Sequence, residues 1–236
     1  QQQAITDGLT GLKTHRFFME SLQAEWKRAT RAGRLFSLLV LDLDRFKQIN
    51  DTRGHLEGDL VLARLGKILE QRCRQSNVVA RYGGDEFMIL MPEANTDQAR
   101  ILADRLRLWI ATDPMFSERE LTASFGVATY PIHGDTPEEI IRAADVGLYL
   151  AKHQGGNVVT VANQFRQDAD RIYLLSSHLE NLSRRLEATG PEAVSDLVQI
   201  LEKTRAGLAG EAEVERLTSE GLVLSLIHIS EPTRPY

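Results

Sequence analysis

Arg81-Tyr82-Gly83-Gly84-Asp85-Glu86-Phe87 is the stretch on which the reading of this chain turns. Val78-Val79-Ala80 leads into it, and Met88-Ile89-Leu90-Met91 leads out before Pro92 stops the apolar run. Two short apolar runs joined by a Gly-Gly turn predict a β-hairpin. Glycine takes a positive φ without a Cβ penalty and leaves backbone bare for a ligand to approach. Asp85 and Glu86 sit side by side at the tip, where like charges repel and would ordinarily stay in water. Between buried strands they become tolerable if a cation neutralises them. A solvated acidic turn is the plainer reading of the four residues alone, so the rest of the chain has to decide.

Upstream, Leu35 to Leu43 is a near-continuous apolar run of strand length, as expected for a central strand buried on both faces. Asp42 and Asp44 interrupt its end, and a carboxylate there is expensive unless paired or metal-bound. Arg45 to Ile49 begins a helix-like stretch, Asn50 to His55 reads as a turn, and a helix is predicted over Leu56–Arg72. Asp59 falls near the first turn of that helix. Further upstream, Thr6 to Leu12 is rich in turn formers and precedes a helical pattern over Thr14–Arg31, with Phe17, Phe18, Leu22 and Trp26 on one face. Downstream, the spacing predicts a helix over Thr96–Ala111, a strand over Leu121–Tyr130, a helix over Pro137–His153 with proline at its first position, and a last strand over Val158–Val161. The order of elements is α-β-α-β-β-α-β-α-β.

The 236 residues accommodate one domain of about 150 residues plus a further segment. A formal charge of −5 argues against non-specific nucleic-acid binding, which wants a basic surface. The single cysteine, Cys73, forms no internal disulfide and fits a reducing cytoplasm. The apolar runs fall far short of the roughly 20 residues that span a bilayer, so no membrane is expected for this piece. The chain begins Gln1-Gln2-Gln3 without an initiator Met and is read as a fragment, its upstream sensor domain missing.

Taken whole, Arg81 to Phe87 resembles the signature of the GGDEF family of diguanylate cyclases. A second, separate stretch resembles the family's D-x-D-x-F-K-x-x-N-D-x-x-G-H-x-x-G-D, matched at Asp42, Asp44, Phe46, Lys47, Asn50, Asp51, Gly54, His55, Gly58 and Asp59. Asp7, Leu9, Thr10, Leu12 and Arg16 match the family's entry motif, whose Asp and Arg hold the junction with an upstream sensor. Ala143-Ala144-Asp145, Tyr149 and Ala151-Lys152 match the helix near its end. The resemblance implies an α/β (α+β) palm fold like that of nucleotidyl cyclases, a central mixed sheet surrounded by helices, over residues 1–162.

The resemblance also implies an activity. Two GTP molecules are condensed into cyclic di-GMP with release of two pyrophosphates, by a homodimer in which each domain holds half of the site. Two Mg²⁺ (or Mn²⁺) ions per half-site would be held by Asp42, Asp85 and the Leu43 carbonyl. Glu86 would be the general base, with Asp85 beside it in the catalytic pair, or Glu86 would be a third metal ligand. Asn50 and Asp59 match guanine-reading positions. A carboxylate accepts from both guanine N1–H and its amino group, a pair that adenine lacks, which favours GTP over ATP. Lys47 and Lys152 match phosphate contacts, and Phe46, Gly83 and Gly84 complete the substrate-binding set. Many relatives carry Arg where this chain has Gly156. His55 and His153 have no partner at ligand spacing and are read as structural. An R-x-x-D inhibitory site for cyclic di-GMP is matched by Arg74 but ends in Asn77, with Arg105 as the secondary arginine, so weak product inhibition is expected.

Two other readings compete. One is a catalytically weak GGDEF domain that senses GTP or cyclic di-GMP, which the intact Gly83 to Phe87 disfavours. The other is a helical dimerisation module. It rests on residues 163–223, where Leu175, Leu179, Leu182 and Leu186 and then Val194, Leu197, Leu201 and Leu208 suggest an αα-hairpin or coiled coil. Residues 224–236 resemble a translated sequencing adapter and are read as an artefact.

Overall fold

A computed structural model describes residues 5–162. The expected helical segment 163–223 and the tail 224–236 lie outside the described residues. The order runs β1 (Lys13–Thr14), α1 (His15–Ala32), β2 (Phe36–Asp44), α2 (Phe46–Arg53), α3 (His55–Arg72), β3 (Val78–Gly83), β4 (Glu86–Pro92), α4 (Thr96–Thr112), α5 (Pro114–Ser117), β5 (Thr122–Tyr130), α6 (Pro137–His153) and β6 (Val159–Val161).

Six strands form one mixed sheet in the order β1-β3-β4-β2-β5-β6. β2 lies between β4 and β5, antiparallel to both, while β1 and β6 add parallel strands at the two edges. The apolar run of β2 behaves as a strand covered on both sides. Leu39, Leu41 and Leu43 join a core with α3 and α4, and Phe36, Leu38 and Val40 join a second core with α1 and α6. This alternation is the period-two geometry of a strand applied to a sequence with no polar face until Asp42. α6 lies close on the sheet because Gly126 of β5 has no side chain. A Cβ there would come within 1.9 Å of the Ala144 carbonyl oxygen.

Three local expectations change. Asn50 to His55 is not a turn: α2 continues through Arg53, and His55 already opens α3. Gly54 alone makes the reversal at φ 84°, a conformation that other residues rarely adopt, with its N–H on the Asn50 carbonyl at 3.0 Å. The hairpin turn is Gly84-Asp85 rather than Gly83-Gly84, because Gly83 still pairs with Glu86 and the register slips between Arg81 and Gly83. The short elements β1 and α5 carry too few residues for a periodic signal. Among the described residues no helix is long and apolar enough to cross a membrane.

Candidate active site

The helix–glycine–helix unit α2–α3 forms one wall of a cleft of about 340 Å³, and the β3–β4 hairpin forms the other. Phe46, Lys47, Asn50, His55, Asp59 and Leu62 come from the first, and Arg81, Gly84 and Asp85 from the second. Gly58 makes the wall possible. A Cβ on it would stand 2.0 Å from the Asn50 Oδ1 and 3.1 Å from the Phe46 ring. Only glycine lets the first turn of α3 close over Asn50, which brings the amide and the Asp59 carboxylate into one recess. Phe46 is buried beneath them, whereas Lys47, His55 and Asp59 are exposed to the opening.

The acidic side of the site is assembled from separate elements. Asp42 of β2 pairs in register with Glu86 of β4, and Asp85 follows in the adjoining turn. The Lys152 ammonium, at the end of α6, forms an ion pair with Asp42 and lies 3.4 Å from the Leu43 carbonyl oxygen and 4.0 Å from Asp44. Burial pushes the Asp42 carboxyl up to about 6. Lys152 opposes that rise, and the charges of Asp85 and Glu86 reinforce it. Burial, with the Glu86 charge added, likewise pushes Asp145 of α6 up to about 7. Negative charge therefore accumulates here faster than one lysine compensates.

This donor set suits a hard divalent cation. Two carboxylates and a backbone carbonyl offer only oxygen, and an ammonium already rests against two of the three. Among the described residues no group of three or more acidic, histidine or cysteine side chains is arranged to hold a metal. The protein alone would leave coordination positions open to phosphate oxygens and water, the usual manner in which Mg²⁺ is held in nucleotide sites.

Asp44, the other carboxylate of the D-x-D, has a different task. It accepts from Thr122 Oγ1 and Ser124 Oγ at 2.7 Å each and from the Asn157 N–H at 2.8 Å, tying β5 and the α6–β6 loop to β2. A Cβ on Gly156 would lie 2.9 Å from the same carboxyl carbon, and Gly156 has φ +77°. The glycine thus fits a tight, left-handed corner against Asp44. His55 is among the residues that line the cleft, while the His153 ring lies 4.2 Å from that of Tyr149.

Asp7 and Arg16 of the entry motif have separate partners within the domain. Asp7 receives hydrogen bonds from Thr10 and pairs with Arg81, whereas Arg16 pairs with Glu20 on the surface of α1. Arg74 is exposed in the turn after α3, and Asn77 closes that turn with its N–H on the Arg74 carbonyl at 2.9 Å. The Asn77 amide nitrogen is buried without a partner, so this side chain is turned inward. Arg105 stacks on Trp109 of α4, which also takes Arg72 of α3.

Two cleft-building residues, Gly58 and Arg81, stood inside the quoted motifs but had no role assigned. A glycine two positions from the start of an amphipathic turn and an arginine opening an acidic hairpin were the available signals.

Comparison with known proteins agrees with this geometry. Residues 4–158 match the family described as diguanylate cyclase, GGDEF domain. The response regulator PleD of Caulobacter vibrioides is 40% identical over 161 residues, which is 66% of this chain and 36% of that protein. The diguanylate cyclase DgcP of Pseudomonas aeruginosa is 39% identical over 165 residues, 69% of this chain and 24% of that protein. The chain therefore spans about a third or less of these relatives' own length. The crystal structure of the GGDEF domain of DgcB from Caulobacter crescentus in complex with c-di-GMP superposes with a TM-score of 0.63 at 30% identity, covering 69% of this chain and 98% of that one. The active GGEEF domain of a diguanylate cyclase from Vibrio cholerae gives 0.60, also at 30% identity. With the mixed sheet, the polar cleft and the acidic hairpin all in place, this chain belongs to the GGDEF domain family of diguanylate cyclases.

Proposed function

We propose that this chain is a diguanylate cyclase that joins two GTP molecules into cyclic di-GMP. The observation that carries the reading is the single cleft in which Asn50 and Asp59 face Gly84 and Asp85, with Asp42 on the adjoining strand. Asp59 accepts from guanine N1–H and the exocyclic amino group, and Asn50 completes the contact with the base. Lys47, exposed at the cleft, and Lys152, seated beside Asp42, place positive charge where the phosphates lie. Asp42, the Leu43 carbonyl and Asp85 would hold Mg²⁺ or Mn²⁺, which when bound neutralises charge on the phosphates.

Glu86 takes the proton from the ribose 3′-hydroxyl. That oxygen attacks the α-phosphorus of a second GTP, a P–O bond forms, the bond from that phosphorus to the α,β-bridging oxygen breaks, and pyrophosphate leaves. The 3′-hydroxyl of the second nucleotide then attacks the α-phosphorus of the first in the same way, which closes the ring and releases the second pyrophosphate. Each domain carries one GTP and one Glu86, so two copies face to face make one site. The setting is the cytoplasm, where GTP is abundant. Feedback by cyclic di-GMP at Arg74 is weak, because Asn77 supplies no second charged acceptor to the guanine edge.

The test is incubation with GTP and Mg²⁺ at a protein concentration that populates dimers, followed by chromatography of the products. Cyclic di-GMP and pyrophosphate are expected in a 1:2 ratio. Asp85→Asn should lower turnover by about 100-fold or more, the cost of one lost charged contact in a phosphoryl-transfer site. Parental turnover by a dimeric Asp85→Asn protein would refute the assignment.

A further inference from the structure

We propose that Arg81 is a positioning residue that couples the entry turn of the domain to the catalytic hairpin. The kinetic part of this proposal rests on the cyclase reading, and the structural part does not. Arg81 sits in β3 opposite Phe87 of β4 on one side and Thr14 of β1 on the other. Its Nε and Nη2 donate to the Gly84 carbonyl at 2.9 and 2.8 Å, so both bonds of the guanidinium fork fall on the first residue of the turn that carries Asp85. Its Nη1 faces both Asp7 oxygens at 3.4 and 3.5 Å, the reach of an ion pair rather than of a short hydrogen bond. Side-chain exposure is only 19% for Arg81 and 25% for Asp7, so water screens the pair incompletely.

Asp7 is itself held from the other side. The Thr10 hydroxyl and N–H donate to its Oδ1 at 2.7 and 2.9 Å, and its own N–H reaches the Leu12 carbonyl at 2.8 Å. Burial pushes its carboxyl upward, but the Thr10 hydrogen bonds and the Arg81 charge outweigh this and hold it below the usual carboxylate value. A rigid carboxylate thus fixes a guanidinium, which fixes a carbonyl next to Asp85.

The need for such a brace follows from the turn. Gly84 has φ +44° and open space where a Cβ would lie, so no neighbour packs against that side of it. Glycine backbone is also the most costly to order. Without a donor on the Gly84 carbonyl, Asp85 and Glu86 would sample more geometries than in-line transfer tolerates. Arginine suits the role because its planar fork serves two acceptors at once, which a lysine ammonium does less well.

The experiment uses the full chain with Asp7→Asn, Arg81→Lys and the double variant. In nucleotide-free protein, Asp7→Asn should speed amide exchange at Gly84, Asp85 and Glu86 by about tenfold, while the β2 amides of Leu39 and Leu41 keep their parental rates. In the GTP assay, kcat should fall roughly tenfold with KM for GTP within about twofold, and the double variant should be no worse than Arg81→Lys alone. Unchanged exchange at the hairpin, or a rise spread equally over β2, would overturn the coupling. So would independent, multiplying kinetic effects, or a rise in KM at constant kcat, which would make Arg81 a substrate contact. If the parent makes no cyclic di-GMP, the cyclase reading fails and the exchange measurement alone judges the brace.

Discussion

The two walls of the cleft are built in opposite ways. The helical wall, to which we assign base reading, comes from one contiguous stretch, residues 46–62, folded as two helices about Gly54. The acidic wall draws Asp42 from β2, Asp85 and Glu86 from the hairpin, and Lys152 from the end of α6, 110 residues from its carboxylate partner. A local wall is held by sterics and helix geometry, so it fails by collision. An assembled wall is held by strand register and charge balance, so it fails by electrostatics. Under the proposed function this difference separates recognition from chemistry within a single site.

Gly58→Ala should break the local wall most severely. The new methyl group would overlap the Asn50 carboxamide, and overpacking of this kind costs about 1–3 kcal/mol before any ligand is considered. GTP affinity measured by calorimetry with Ca²⁺ should fall beyond about 100-fold, because Asn50 and Asp59 are both displaced. Strands β2 and β4 should keep their amide protection. Unaltered GTP binding would show that close approach at Gly58 is irrelevant to the cleft.

Asp59→Ala sharpens the comparison with a smaller change. It removes one acceptor and leaves the backbone alone, so affinity should fall by about 1–3 kcal/mol, roughly ten- to hundredfold. ATP affinity should hardly move, since adenine offers no N1–H and amino pair. Equal GTP affinity in parent and variant would remove Asp59 from base recognition.

The smallest effect is expected at the opposite end of β2, far in register from either wall. There His133 is buried, and its Nδ1 accepts the Thr129 N–H at 2.8 Å, beside the Ser37–Thr129–Thr96 hydroxyl network. Burial holds the imidazole below its ordinary value, so the neutral ring belongs to the folded state. Its contribution to stability is then complete above about pH 6.5 and is lost as pH falls below that. Thermal midpoints taken from pH 7.5 to 5 should drop by a few degrees more in the parent than in His133→Asn, whose side-chain oxygen still accepts that bond. Identical slopes would place the acid sensitivity elsewhere.

Much of this was legible before any coordinates. The near-continuous apolar run to Leu43 already required a strand covered on both faces, and it lies at the centre of the sheet. Asn50 and Asp59 were readable because they fall at matched positions of one contiguous motif that resembles the family's, from Asp42 to Asp59. Asp42 and Asp85 were singled out because carboxylates beside apolar strands need a cation. The Asn50–His55 turn was misread because a lone glycine suffices to reverse the chain, and the flanking polar residues remain helical.

What the sequence determined by itself was the longer elements, which follow from periodicity and turn chemistry, and the local half of the site, which one contiguous motif carries from Asp42 to Asp59. Only the tertiary structure decided that Lys152 rests on Asp42, that Asp44 braces β5 rather than facing the cleft, and that Arg81 joins Asp7 to Gly84. Those pairings depend on strand order and register. Distances between residues far apart in the chain are set by how the sheet and its helices pack as a whole, and no spacing within the sequence encodes them.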